Sequence, residues 1–94
     1  MKPYELMFIV KPELGDEAVD AIMQRVQDIV KSEGGNVDEI RKWGKRRLAY
    51  EIKGYRDGLY ILAKFTADPP VVRELDRQLK ITDEVIRFMI CRAS

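Results

Sequence analysis

The sequence predicts an α+β domain in which two helices lie on one face of a four-stranded antiparallel sheet. Hydrophobic residues alternate with a period of two in four segments and recur every three or four residues in two others. These segments follow one another in the order strand, helix, strand, strand, helix, strand. The chain has 94 residues, about the size of one domain, so residues 1–94 are expected to form a single domain.

The first strand and the first helix occupy the first third of the chain. The strand is predicted over residues 3–11, where apolar residues alternate on both faces before a proline breaks the pattern. The helix is predicted over residues 16–33, with Asp16 as its N-cap and Gly34-Gly35 after its last turn. Its buried stripe consists of Val19, Ile22, Met23, Val26, Ile29 and Val30.

A hairpin is predicted in the middle of the chain. Residues 36–53 read as extended backbone in which Gly44 marks a bulge or a bend. Residues 54–58 are predicted to form the hairpin turn, because Asp57-Gly58 is a favoured turn pair. The returning strand follows over residues 59–65.

The second helix and the last strand complete the fold. Asp68 is the predicted N-cap of the helix, and Pro69 takes the first helical position, where its missing N–H costs nothing. The last strand is predicted over residues 85–91, with Ile86, Phe88 and Ile90 facing the helices. Right-handed crossovers then place both helices on one face and the first and third strands at the centre of the sheet. This is the ferredoxin-like βαββαβ arrangement.

The sheet face opposite the helices is expected to be uncovered, and we call it the open face. The apolar residues predicted on it are Met7, Ile9, Tyr60, Leu62, Met89 and Cys91. About half of any protein surface is apolar, so exposed apolar residues alone do not define a site. These residues lie on adjacent strands, however, and a contiguous apolar patch is typical of a protein–protein interface. Met7, Ile9, Tyr60, Leu62 and Met89 are therefore candidates for contact with a protein partner.

The formal net charge of +1 hides an uneven distribution of charge. Residues 13–39 contain eight acidic and two basic residues, whereas residues 41–56 contain seven basic residues and one acidic residue. A run of like charge is often only a solvated surface. This basic run also contains Trp43, Tyr50 and Tyr55, and cations bind phosphates while aromatic rings stack on unpaired bases. The segment therefore also fits a nucleic-acid contact.

The composition argues against an enzyme. The sequence has no histidine, no glycine-rich phosphate loop and no spaced metal ligands, so no catalytic residue, metal, cofactor or small-molecule substrate is predicted. No apolar run approaches the roughly 20 residues of a membrane helix, and the N-terminal segment does not resemble a signal peptide. The single cysteine, Cys91, cannot form an internal disulfide, which fits a cytoplasmic location.

The run Trp43-Gly44-Lys45-Arg46-Arg47-Leu48-Ala49-Tyr50-Glu51-Ile52, followed by Asp57-Gly58-Leu59-Tyr60, resembles the signature of the bacterial small-subunit ribosomal protein six family. Tyr4-Glu5 and residues 83–87 are similar as well, so the resemblance covers essentially the whole chain. It implies a structural component of the small ribosomal subunit that binds the central domain of the small-subunit rRNA together with ribosomal protein eighteen. Many members have a C-terminal tail longer than this sequence, which ends at Ser94.

The resemblance also implies functional residues. Lys45, Arg46 and Arg47 match the basic motif of the family and are candidates for RNA binding. The basic strand ends add Lys2, Arg87 and Arg92 as further candidates, and the open face would contact the protein partner. A different class remains open, in which a ferredoxin-like regulatory or ligand-sensing domain self-associates through its open face. A stable homodimer of the pure protein would favour that class.

Overall fold

The computed structural model describes residues 1–93. In chain order, its elements are β1 (Lys2–Val10), α1 (Asp16–Ser32), β2 (Asn36–Ile52), β3 (Tyr55–Ala67), α2 (Pro69–Lys80) and β4 (Val85–Arg92). The strands form one four-stranded antiparallel sheet in the order β2-β3-β1-β4. The ferredoxin-like arrangement predicted from the sequence, with the first and third strands at the centre, is confirmed.

The main hydrophobic core lies between the sheet and the two helices. Alternate side chains of the central strands point into it, among them Leu6, Phe8 and Ile61, which are fully buried. The helices add the buried residues Val19, Ile22, Val26 and Val30 from α1 and Val71, Leu75 and Leu79 from α2. Burial of each large apolar side chain contributes roughly 1.5–3 kcal/mol, so this core determines which face of each strand turns towards the helices.

The helix starts agree with the sequence at α2 but not at α1. Asp68 is the N-cap of α2 and Pro69 its first residue, as predicted. In α1, Gly15 is the N-cap, with an extended backbone, and Asp16 is already helical, so the prediction of Asp16 as N-cap is wrong. Asp16 instead places its carboxylate in the first turn, beside the positive end of the helix dipole.

The hairpin turn lies earlier in the chain than predicted. Ile52 pairs with Tyr55, so the loop between β2 and β3 consists of Lys53 and Gly54 alone. Both residues have positive φ angles, 52° and 84°, as a two-residue type I′ turn requires. The predicted turn over residues 54–58 is therefore wrong. Gly58 lies inside β3, although its residue type favours turns.

An irregularity in the pairing of β1 with β4 reverses part of the predicted alternation. Val10 pairs with Val85 while Ile9 pairs with Arg87, so Ile86 is an extra residue on β4. This bulge turns the Ile86 side chain to the open face, where it packs with Ile9. The prediction that Ile86 faces the helices together with Phe88 and Ile90 is therefore wrong for Ile86.

Candidate partner and nucleic-acid interface

The end of β2 crosses over one end of the open face. Between the pairs Arg47–Asp57 and Ile52–Tyr55, β2 contains four residues where β3 contains one. The extra length lets residues 48–51, which we call the arch, depart from regular pairing with β3 and reach β4. The open face is therefore divided into a covered end and an uncovered end.

Two contacts hold the arch in place. Leu48, which is 7% exposed, packs against Ile9 and Ile86 in a small apolar cluster on the open face. At the far side, Arg87 Nη1 on β4 donates a hydrogen bond of 2.7 Å to the hydroxyl oxygen of Tyr50. We call this hydrogen bond the clasp. It assigns Arg87 a structural contact that the sequence did not indicate.

Residues predicted on an uncovered face lie partly under the arch. Ile9 is only 3% exposed because the Leu48 side chain covers it, so the prediction of Ile9 as an accessible contact residue is wrong. Tyr60 packs against the same cluster and is half-buried. The alternation of residues along β1 could not predict this burial, because the arch that covers Ile9 comes from a distant part of the chain.

The uncovered end of the open face forms a shallow apolar groove of about 340 Å³, which we call the open-face groove. Met7 lies at its centre, paired with Leu62 on one side and with Met89 on the other. These three predicted contact residues therefore lie together. The full lining consists of Glu5, Leu6, Met7, Trp43, Leu62, Met89 and Cys91.

Trp43 forms one wall of this groove and was not among the predicted contact residues. It is the extra residue of a bulge in β2, next to Gly44, whose φ angle is 116°. Its ring meets the ring of Tyr60 edge to face, with the centroids 6.2 Å apart. The guanidinium carbon Cζ of Arg46 lies 4.3 Å from the Trp43 ring centroid. Trp43 remains 44% exposed, so the bulge presents an indole at the surface.

We call the three predicted RNA-binding residues of β2 the basic triplet: Lys45, Arg46 and Arg47. Their side chains do not all point to the same face of the sheet. Arg46 pairs with Gly58 and lies on the open face, beside Trp43. Lys45 and Arg47 alternate with it and therefore point to the helix side. All three side chains are exposed, and within residues 1–93 no carboxylate lies within 4.0 Å of their charged nitrogens. Their positive charge is thus available to an external anion.

A small cleft on the hairpin is lined by one basic residue that was not among the predicted RNA-binding residues. Arg47 and Arg56 line this cleft of about 280 Å³ together with Leu48 and Glu51. Arg56 Nε lies 3.5 Å from a carboxylate oxygen of Glu51. Two guanidinium groups face one carboxylate there, so the cleft has a net positive charge. Arg56 belongs to the basic run of residues 41–56, but nothing in the sequence distinguished it from the other cations of that run.

Two of the three remaining predicted cations, Lys2 and Arg92, lie far from the basic triplet, whereas Arg87 contacts Tyr50 of the arch. Lys2 pairs with Ala67 at the other end of the sheet. Val10, which is level with Lys45 across β3, lies eight residues after Lys2, about 26 Å along extended chain. Arg92 lies at the same distant end, with its Cζ 5.9 Å from the ring centroid of Tyr4. One flat RNA contact therefore does not include all six predicted cations.

Two features bear on the expectation that this chain is not an enzyme. Within residues 1–93, no group of three or more metal-binding side chains is found. Hydrogen bonds from Arg77 and Gln78 hold the pKa of Glu74 below its ordinary value, whereas a general acid needs a raised carboxyl pKa. Among these residues, no helix has the length and apolar character to cross a membrane.

The clasp yields a local prediction. Tyr50→Phe removes the hydroxyl that accepts the Arg87 hydrogen bond, and a bond of this kind contributes roughly 0.5–1.5 kcal/mol. We expect backbone amides of the arch to exchange hydrogen faster, because the arch opens more often, while the amides of β1 keep their protection. Hydrogen–deuterium exchange measures both. Tyr4→Phe, at the other end of the sheet, serves as the control, and equal exchange of the arch in all three proteins would contradict the clasp.

Comparison with known proteins agrees with this architecture. Residues 3–92 match the family model described as Ribosomal protein S6. The chain is 47% identical to the small ribosomal subunit protein bS6 of Desulforamulus reducens over 92 residues, which cover 98% of this chain and 97% of that protein. It is 42% identical to the protein of the same name from Moorella thermoacetica, also over 92 residues, covering 98% and 94% of the two chains.

Solved structures give the same result. The crystal structure of 30S ribosomal protein S6 from Thermotoga maritima superposes with a TM-score of 0.91 and 32% identity, covering 98% of this chain and 87% of that chain. The C-terminal domain of the MgtC protein from Mycobacterium tuberculosis shares the fold alone, with a TM-score of 0.70 and 16% identity. The chain belongs to the ribosomal protein S6 family and is a structural, non-enzymatic protein of the small ribosomal subunit in the cytoplasm.

Proposed function

We propose that this chain binds the central domain of the small-subunit rRNA together with ribosomal protein eighteen. In this proposal the open-face groove receives the protein partner and the basic hairpin contacts the RNA. One observation supports this proposal most strongly. An uncovered apolar groove lies directly beside exposed cations that have no carboxylate partner within residues 1–93, with Trp43 between the two.

The groove supports the protein half of the proposal. Met7, Leu62 and Met89 present flexible or branched apolar side chains on adjacent strands. Methionine side chains adapt their shape to a partner, and contiguous apolar surface of this kind marks protein contacts. The apolar surface that remains exposed here would leave water when the partner binds, which supplies the driving force for association.

The charge distribution supports the RNA half and explains why a partner is needed. The net charge of +1 gives little long-range attraction to a polyanion. The cations of β2 and the hairpin supply only a few phosphate contacts, and affinity for RNA grows with the number of phosphates neutralised. A partner that adds its own cations beside the groove would extend this surface. The two proteins together should therefore bind RNA more tightly than either one alone.

Coupled binding is the test of this proposal. A gel-shift titration compares the affinity of a central-domain rRNA fragment for this chain alone, ribosomal protein eighteen alone, and both proteins. We expect the pair to bind about five- to 150-fold more tightly than this chain alone, the range typical of coupling between sites. Tight binding by this chain alone, with no gain from the second protein, would refute the proposal.

Self-association is the alternative that the exposed groove also admits. Sedimentation velocity of the pure chain at micromolar concentration distinguishes the two, because the proposal predicts a monomer. A stable homodimer that dissociates on Met89→Glu would favour the regulatory or ligand-sensing class instead. Met89 is suited to this test because it is 47% exposed and lines the groove, so the substitution alters the surface rather than the core.

A further inference from the structure

We infer that the basic triplet is divided between two partners, with Arg46 contacting the protein in the open-face groove and Lys45 and Arg47 contacting RNA. This inference rests on the proposed function and goes beyond it, because the sequence motif suggests that three consecutive cations act together. In the structure, Arg46 leaves β2 on the opposite side from Lys45 and Arg47. Consecutive residues of a strand point to opposite faces of the sheet.

The pairing partners on β3 fix the directions of the Lys45 and Arg46 side chains. Lys45 pairs with Leu59, whose side chain packs against the main core on the helix side. Arg46 pairs with Gly58, where a Cβ would overlap the Cγ2 methyl of Ile9 on the open face. Arg46 therefore lies on the side of the groove, and Lys45 lies on the opposite side.

A cation–π contact places Arg46 beside the groove. Its guanidinium lies 4.3 Å from the centroid of the Trp43 ring, and Trp43 lines the groove. A guanidinium over an aromatic ring still has planar N–H donors that can bind a carboxylate with two hydrogen bonds. Tryptophan and arginine together are the residues most enriched where protein interfaces gain their affinity. Arg46 and Trp43 thus form a ready anchor at the rim of an apolar groove.

Within residues 1–93, the one charged residue in the lining of the groove favours protein over RNA as the occupant. Glu5 also lines the groove, and its carboxylate would repel a phosphate. The groove therefore fits a protein segment that places an apolar side chain over Met7, a carboxylate against Arg46 and a basic group near Glu5. Lys45 and Arg47 are not among the residues that line this groove. Arg47 instead shares its cleft with Arg56, an arrangement that suits a phosphate.

Calorimetry without RNA separates the two roles. Ribosomal protein eighteen is titrated into the wild-type chain and into the variants Arg46→Ala and Arg47→Ala. Arg47→Ala is the matched control, because it removes the same residue type at the next position. We expect Arg46→Ala to weaken protein binding about tenfold or more, as loss of an interface anchor does. Arg47→Ala is expected to change it less than about twofold, as an exposed substitution away from the interface does.

The second arm measures RNA binding with the partner at saturating concentration. Here we expect Arg47→Ala to lower the affinity for the rRNA fragment and to reduce the salt slope by about 1, while Arg46→Ala leaves the slope unchanged. Arg46→Lys keeps the charge and loses the planar donors, so it should also weaken protein binding. Thermal unfolding of each variant confirms that it is folded, and Arg46→Lys replaces Arg46→Ala if the alanine variant is not.

The possible outcomes distinguish this inference from the proposed function. If the wild-type chain fails to bind ribosomal protein eighteen, the proposed function is wrong and the inference goes with it. If the wild-type chain binds but Arg46→Ala binds equally well, only the division of the triplet is wrong. Loss of RNA binding in Arg46→Ala with unchanged protein binding would assign Arg46 to a phosphate and would also overturn the inference.

Discussion

Gly58→Ala is expected to lower the free energy of unfolding by about 1–3 kcal/mol, the usual cost of forcing extra volume into a packed site. Gly58 is buried in β3, and a Cβ at this position would overlap the Cγ2 methyl of Ile9. Ile9 cannot move away easily, because Leu48 of the arch packs over it. Urea denaturation measures the loss, and the slope of the transition should stay the same.

A double-mutant cycle identifies the cause of that loss. Ile9→Ala removes the methyl group that the new Cβ would meet, so Gly58→Ala should cost less free energy in the Ile9→Ala background than in the wild-type chain. Additive losses would mean that the overlap with Ile9 is not responsible. Additive losses would also mean that the arch does not hold Ile9 tightly against the sheet.

Lys45→Ala combined with Arg47→Ala is expected to lower the affinity of the chain and ribosomal protein eighteen together for the rRNA fragment by roughly tenfold to a hundredfold at moderate salt. Removing one cation from a phosphate should reduce the slope of log affinity against log salt by about 1, so the double substitution should reduce it by about 2. The fold should not suffer, because both side chains are exposed and make no ion pair within residues 1–93. Titrations at several salt concentrations give the slope.

A control with the same change in net charge isolates the location of these cations. Lys31→Ala combined with Arg73→Ala also removes two positive charges, but from the exposed surfaces of α1 and α2. This control should leave the salt slope near that of the wild-type chain. A control variant that loses as much affinity as Lys45→Ala/Arg47→Ala would show that net charge, and not the hairpin surface, governs RNA binding.

Regular features of this fold could be predicted from the sequence, and irregular ones could not. The alternation on β1 correctly placed Phe8 in the core and Met7 on the open face, because regular pairing preserves a period of two. The bulge at Ile86 was missed because it depends on the register between β1 and β4. The turn was missed because Lys53 adopts a positive φ angle, which its residue type does not suggest.

The candidate site shows the same limit. Met7, Leu62 and Met89 were predicted correctly as neighbours, since strand order and alternation suffice to bring them together. The burial of Ile9 was not predicted, because the arch that covers it comes from the far end of β2. The division of the basic triplet could have been predicted, since alternation along a strand separates Arg46 from the cations on either side.

Solvent access to Trp43 distinguishes a groove that binds protein from one that binds RNA, because Trp43 is the only tryptophan in the sequence and lines the open-face groove. Acrylamide quenching of its fluorescence is measured for the chain alone, with a tryptophan-free form of ribosomal protein eighteen, and with the rRNA fragment. We predict that the protein partner shields Trp43 without any RNA and that RNA alone does not. Shielding by RNA alone, or full quenching in the presence of the bound protein partner, would contradict the assignment of the groove.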